Sequence, residues 1–186
     1  DCLLSRGLGD VYKRQKLEFL LIEKLGDIGK KIHTGRSRND QVLVATQLYL
    51  KNEILIIKKL IKKLFDILVR LAEKNKTKLI PGYTHLQIAM PSSFGIWFSS
   101  FAEILIDDII YLNTAYKINN QNPLGSAAGY GTSFNIDREY TTKELGFETL
   151  KFNVASAQMS RGRLEKSVAI AIGSVAETLA RLCSDI

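Results

Sequence analysis

Proline, cysteine, histidine, methionine and tryptophan are all scarce in these 186 residues, at three, two, two, two and one. Three prolines, at Pro81, Pro91 and Pro123, leave long uninterrupted stretches rich in Leu, Ile, Lys and Glu, which favours long helices. Two cysteines, Cys2 and Cys183, form neither a disulfide framework nor a metal-ligand spacing, so a reducing cytoplasmic setting is the expectation. Two histidines, His33 and His85, are too few and too far apart to define a zinc site. No continuous apolar run approaches the ~18 residues of a membrane span, so no membrane association is expected. No βαβ alternation and no internal repeat is visible.

What the chain does have is apolar residue and basic charge. Hydrophobic residues make up 46% and charged residues 24%, ordinary for a globular protein. The net charge is +7, much of it from lysines in 58–63 and 74–78. Such clusters suit either a nucleic-acid or anionic-membrane patch, or a solvated helix face. No aromatic residues interleave them as a base-stacking platform requires. The solvated face is therefore the favoured reading, and no nucleic-acid partner is expected.

The first fifteen residues, DCLLSRGLGDVYKRQ, carry no clear helical period. DVYKRQ resembles translated sequencing-adapter read-through, so residues 1–15 are set aside as a non-native leader. Residues 16–25 read as the end of a helix closed by Gly26. A Gly-, Lys- and Arg-containing loop then runs to Arg38, so that 16–38 closes an N-terminal region. Asn39 or Asp40 is positioned to cap a long helix. Leu43, Gln47, Leu50, Ile54, Ile57, Ile61, Leu64, Leu68 and Leu71 step by fours and threes, a heptad seam. A helix over 41–74 would be about 50 Å long at 1.5 Å per residue. Such a rod needs other long helices to bury its seam, from its own chain or a neighbour.

Pro81-Gly82 reads as a turn, and Pro91 as the first turn of the next helix. Phe94, Trp97, Phe98, Phe101, Leu105 and Leu112 give that helix a heavy apolar face to about Lys117. A polar loop follows, then a short helix from Asp137 to Leu145 stopped by Gly146. Leu164, Val168, Ala171, Val175, Leu179 and Leu182 restore the heptad step. Residues 39–186 are thus expected to form one long-helix domain. Its periodicity begins and ends in mid-pattern, as in a unit truncated at both ends.

Three polar stretches could carry chemistry. HTGRSRNDQ, at 33–41, sets two guanidinium forks, Arg36 and Arg38, beside the neutral donors Ser37 and Asn39 at a helix start. Planar forks and free N–H groups together suit one or two carboxylates. Arginines of a surface loop that pair with acids elsewhere would look the same. PGYTHLQ, at 81–87, places His85 between Thr84 and Gln87. A histidine trades protons near neutral pH and Thr84 could hold a substrate oxygen, although a loop histidine is more often a packing residue. His33 has the same ambiguity and reads as a support for its loop. NPLGSAAGYG, at 122–131, lacks the G-K-[ST] of a phosphate loop and reads as a structural crossover.

The combination and order of GRSRNDQ, YTHLQ, PLGSAAGYG and the IDRE segment resemble the argininosuccinate lyase family of the fumarase/aspartase superfamily, from about Leu17 to Ile186. The resemblance implies an all-α fold of long helices in a central bundle, built as a homotetramer. It implies cleavage of L-argininosuccinate to L-arginine and fumarate with no cofactor and no metal. It assigns Arg38, Ser37 and Asn39 to substrate carboxylates, Thr84 to the substrate beside the reacting centre, and His85 to acid/base work. Arg36 and Gln87 follow as secondary contacts. It also implies active sites shared by three subunits, an upstream histidine segment and a downstream serine loop that are not found here, so the isolated chain is expected to be inactive.

Ile88 and Met90 depart from the polar or basic residues that the family usually carries after THLQ. The alternatives are another superfamily lyase acting on adenylosuccinate, aspartate or malate, a crystallin-like or scaffolding helical protein without activity, and a basic nucleic-acid binder.

Overall fold

A computed structural model describes residue 16 and residues 18–186. The leader assigned to 1–15, with Cys2, lies outside the described residues. Residues 18–25 are helical (α1). Gly26 closes this helix in the left-handed region, at φ 59°, its N–H donating to Ile22 O at 2.8 Å. A loop to Arg38 was expected next. Instead the chain re-enters a short helix, α2 (Asp27–Lys31), before turning into α3 (Arg38–Asn75).

The cap of α3 also differs from expectation. Ser37, not Asn39 or Asp40, is the N-cap, with extended backbone at φ −119° and ψ 165°. Its hydroxyl accepts from the helix start, and Asp40 reaches back to accept from the Ser37 N–H at 2.9 Å. This reciprocal capping box satisfies donors at both positions, which a cap at Asn39 or Asp40 would leave open.

The seam of α3 is buried at Leu43, Gln47, Ile54, Ile61 and Leu68, with Leu50, Ile57 and Leu64 half-buried. Lys51 joins them at 7% exposure. Its ammonium donates to Gly146 O at 2.7 Å and lies 4.3 Å from the Phe147 ring centre. Burial pushes the Lys51 pKa down and Glu148 opposes that shift. Lys51 thus pins the segment after residue 138 onto α3.

Between Asn75 and Phe94 the chain forms an antiparallel hairpin, β1 (Leu79–Thr84) and β2 (Gln87–Ser93). Pro81-Gly82 therefore lies within a strand and Pro91 opposite Pro81, rather than in a turn and a helix. The prolines do not prevent this pairing, because proline is tolerated in a two-stranded sheet made only of edges. Ser93 then caps α4 (Phe94–Asn119), its hydroxyl accepting from Ile96 N at 3.2 Å.

α4 lies between α3 and α7 (Arg163–Asp185) and packs along both. It runs antiparallel to each. A Cβ at Gly95 would come within 2.7 Å of Lys76 Cα, so the start of α4 abuts the end of α3. Trp97 Nε1 donates to Asp185 Oδ2 at 3.4 Å, and Asn119 Nδ2 to Ser167 Oγ at 3.3 Å, which fixes α7 at its two ends. Phe101, Leu105 and Leu112 of α4 meet Ile54, Ile61 and Leu68 on one side and Val168, Ala171, Val175 and Leu182 on the other. On α7 the expected Leu179 is 37% exposed and Thr178 is buried in its place. The buried positions Leu164, Val168, Ala171, Val175, Thr178 and Leu182 keep a strict four-three step, which a seam through Leu179 would break.

α5 (Arg138–Glu144) and α6 (Val154–Met159) lie in the α4–α7 connection, together with a two-residue parallel pair, β3 (Gln121–Asn122) and β4 (Thr149–Leu150). α5 matches the expected short helix. Asp137 caps it by accepting from Tyr140 N at 2.8 Å, and Gly146 follows it at φ 66°.

The three long helices leave apolar side chains uncovered, among them Leu60 and Ile67 on α3, Ile106 and Ile110 on α4, and Ile170 on α7. A groove of about 410 Å³ between α3 and α4 is walled by Leu55, Phe65, Leu105 and Ile109 and rimmed by Lys58, Lys59 and Lys62. By length and composition α7 alone among the described helices could cross a membrane. Its buried stripe packs on α4, and Lys166, Glu177 and Arg181 lie off that stripe, as in a core helix.

Candidate functional site

The first polar corner is the start of α3. Ser37 spends its oxygen on the helix cap, accepting from Asn39 N at 3.4 Å, which leaves its O–H able to donate outward. Arg38 is exposed and Asn39 is half-buried in the first turn. Arg36 lines a cleft of about 250 Å³ with Lys31, Thr34, Gly125, Arg138 and Thr141. Four of the seven predicted residues are thus together in one corner. His33 supports this corner, as expected: its Nδ1 lies 2.9 Å from Glu18 Oε1 and 3.4 Å from the Gln41 amide.

The 122–131 loop is fastened to that corner. Asn122 accepts from Leu124 N at 2.9 Å and donates to Thr142 Oγ1 at 2.9 Å. Arg138 donates to three carbonyls, those of Leu124, Lys151 and Phe152. Burial pushes its pKa down and nearby Asp40 pushes it up. Gly125 sits at φ 86°, and a Cβ there would meet Arg138 Cγ at 2.8 Å, so no larger residue fits. Asp40, fully buried, accepts from both Gly125 N and Ala127 N at 3.1 Å. Gln158 donates to Ser126 Oγ at 2.8 Å and Ala127 O at 3.1 Å. The stretch is a crossover, as its sequence suggested. It is also a wall of the first corner, which was not anticipated.

The second corner is the hairpin tip. Thr84 pairs with Gln87, so His85 and Leu86 form a two-residue loop. Both have positive φ, 51° and 63°, the pair of values that a type I′ turn requires. Such a turn normally takes Asn-Gly; histidine is among the non-glycine residues enriched at positive φ, but leucine is not suited to it. Leu86 is 99% exposed, so no contact within the chain compensates it. Thr84, His85 and Gln87 are exposed and their side chains make no hydrogen bond among the described residues. Ile88 and Met90 are 70% and 68% exposed on β2 and are not packed within the chain. Non-glycine residues held at positive φ cost about 1–3 kcal/mol each and cluster at functional sites. Leu86→Asn should therefore slow amide exchange across 79–93 by a few-fold in the isolated chain. Unchanged or faster exchange would show that the turn is unstrained.

The two corners do not meet within one chain. They lie at opposite ends of α3, whose 38 residues span about 57 Å. Among the described residues there is no group of three or more His, Cys, Asp or Glu placed to hold a metal. Together the corners offer carboxylate-binding forks at one end and an exposed imidazole with a hydroxyl at the other. That equipment suits an acid/base reaction on an anionic substrate, provided different copies supply the two ends.

A lyase family model matches residues 5–186. The chain is 50% identical over 185 residues to the argininosuccinate lyase of Bacteroides fragilis, a match that covers 100% of this chain and 41% of that one. It is 43% identical over 170 residues to the argininosuccinate lyase of Xanthomonas campestris pv. campestris, covering 91% and 39% of the two chains. Among solved structures, EDDS lyase in complex with formate superposes with a TM-score of 0.85 at 25% identity, covering 91% of this chain and 34% of that one. The fumarate lyase:delta crystallin of Brucella melitensis bound to cobalt superposes with a TM-score of 0.76 at 21% identity, covering 88% and 37%, a likeness of fold. The chain spans about 41% of the length of the curated Bacteroides relative.

Proposed function

The chain belongs to the lyase family and has the long-helix fold of the fumarase/aspartase superfamily, and on that premise we propose that the whole protein cleaves L-argininosuccinate to L-arginine and fumarate. The observation that supports this reading most is the 50% identity over the full chain to an argininosuccinate lyase, with both polar corners inside the matched stretch.

The chemistry follows from the groups present. A proton leaves the carbon beside a substrate carboxylate. Its electron pair forms the carbon–carbon double bond as the C–N bond breaks, and the departing nitrogen takes up a proton. The carbanionic intermediate places a second negative charge on that carboxylate. Preorganised donors stabilise charge where it develops. In this scheme Arg38, Ser37 and Asn39 hold the substrate carboxylates, and Arg36 adds positive charge from the neighbouring cleft. Thr84 hydrogen-bonds the substrate beside the reacting carbon, with Gln87 next to it. His85 does the acid/base work. The scheme calls on no cofactor.

The 57 Å rod between the corners requires copies of the chain to pack with their ends exchanged. The uncovered apolar faces of α3, α4 and α7 supply the surface for such packing, and a homotetramer is the arrangement proposed. Residues 39–186 then act as the central bundle domain and 16–38 as the approach to the substrate corner, in a cytoplasmic enzyme of arginine biosynthesis.

The test is a chimera in which residues 16–186 replace the matching stretch of the Bacteroides fragilis enzyme. The chimera should form fumarate from argininosuccinate and not from adenylosuccinate, aspartate or malate. The 186-residue chain alone should form none. A well-assembled chimera that is inert on argininosuccinate, or that prefers one of the other substrates, would overturn the assignment.

A further inference from the structure

We propose that Asp40 is the positioning residue of the substrate corner, its carboxylate latching the start of α3 to the glycine-containing 122–131 loop. What the corner binds rests on the lyase reading above. The latch itself rests on geometry alone.

Asp40 has no exposed surface, and its two oxygens do different jobs. Oδ1 accepts from Ser37 N at 2.9 Å and so completes the capping box. Oδ2 accepts from Gly125 N and Ala127 N, both at 3.1 Å, across more than eighty residues of chain. These loop amides can converge on one oxygen because Gly125 and Ala127 both adopt positive φ, 86° and 50°. An alanine held there is strained, and the two hydrogen bonds offset that strain. A buried amide N–H left without an acceptor is destabilising, so these two bonds are not idle.

The consequence falls on three residues proposed to bind substrate. Ser37 is fixed through its N–H by Oδ1, and its hydroxyl is turned onto the helix cap with its proton free to donate. Arg38 and Asn39 lie between the two anchoring points of that box. If the carboxylate were lost, the first turn could fray independently of the loop, and the donors would have to be reordered each time substrate bound. That cost appears in KM more than in kcat, because the acid/base group lies at the other corner.

Asparagine is the discriminating replacement. It has nearly the same shape but a single acceptor oxygen. Whichever way Asp40→Asn turns its amide, the NH₂ faces either Ser37 N–H or the two loop N–H groups, donor against donor. Gln158→Met is the control, because it frees the same loop from its other side and leaves Asp40 intact.

Two measurements decide the matter. In the 186-residue chain, the Ser37, Gly125 and Ala127 amides should show closely similar exchange protection, and Asp40→Asn should lower all three by tenfold or more together. Gln158→Met should leave Ser37 unchanged. In the chimera, Asp40→Asn should raise KM for argininosuccinate at least tenfold, with a smaller change in kcat and the same oligomer. Gln158→Met should shift KM by less than threefold. Protection factors in the wild-type chain that differ by more than a hundredfold would overturn the latch, and this reading stands even where the variant fails to fold. Equal KM increases in the two variants would reduce Asp40 to a brace. A chimera inert on argininosuccinate would defeat the lyase assignment, while the exchange data would still decide on Asp40.

Discussion

His85→Asn in the chimera should lower kcat by roughly 10²- to 10⁴-fold, the range that a positioned acid/base group contributes. The oligomer and its thermal transition should stay as they were. Asparagine keeps polarity and tolerates positive φ, so the type I′ turn that carries residue 85 at φ 51° is retained or eased. The imidazole makes no hydrogen bond among the described residues, so its loss removes no internal contact. The kinetics and the light-scattering mass of the variant together check this. Full activity would remove His85 from the chemistry, and collapse of the oligomer would make it a packing residue.

Arg38→Met should lower kcat/KM by roughly 30- to 4,000-fold, because truncating one side of a charge-assisted, desolvated contact costs about 2–5 kcal/mol. Arg38→Lys should recover only part of this, since an ammonium offers a point charge in place of a planar fork. Initial-rate measurements over a range of argininosuccinate concentration separate the two variants. A lysine variant as good as wild type would show that charge alone is used. No effect in either variant would place the substrate carboxylates elsewhere.

The long helices were legible because their seams repeat over several turns. Leu43, Ile54, Ile61 and Leu68 on α3 and Leu164, Val168, Ala171 and Val175 on α7 are buried as their spacing required. Of the shorter elements, α5 was legible from Asp137 and Gly146, but α2 and the hairpin were not. The hairpin was hidden by Pro81-Gly82 and Pro91, which read as breakers although a strand with a free edge accommodates them. Neither LIPGYT nor QIAMPSS alternates polar and apolar residues, so no period-2 signal marked the strands. The Ser37–Asp40 capping box, by contrast, was in plain view as S-x-x-D.

Both polar corners were visible as residue types, and Ser37, Arg38, Asn39 and Arg36 do lie together. The second anchoring role of Asp40 was not visible, because it depends on a contact with residues 125 and 127 that no local pattern encodes. The separation itself was legible, because the heptad seam over 41–74 already required a rod of about 50 Å, and about 57 Å of helix keeps His85 from its own Arg38.

That separation makes one mixing experiment decisive. Arg38→Met and His85→Asn chimeras, each inert alone, are dissociated, combined in equal amounts and reassembled. If every active site joins the arginine corner of one copy to the histidine tip of another, about one site in four regains both groups in random mixed oligomers. Activity should return to about a quarter of wild type. No recovery in oligomers shown by mass to be mixed would mean that the two corners do not share a site.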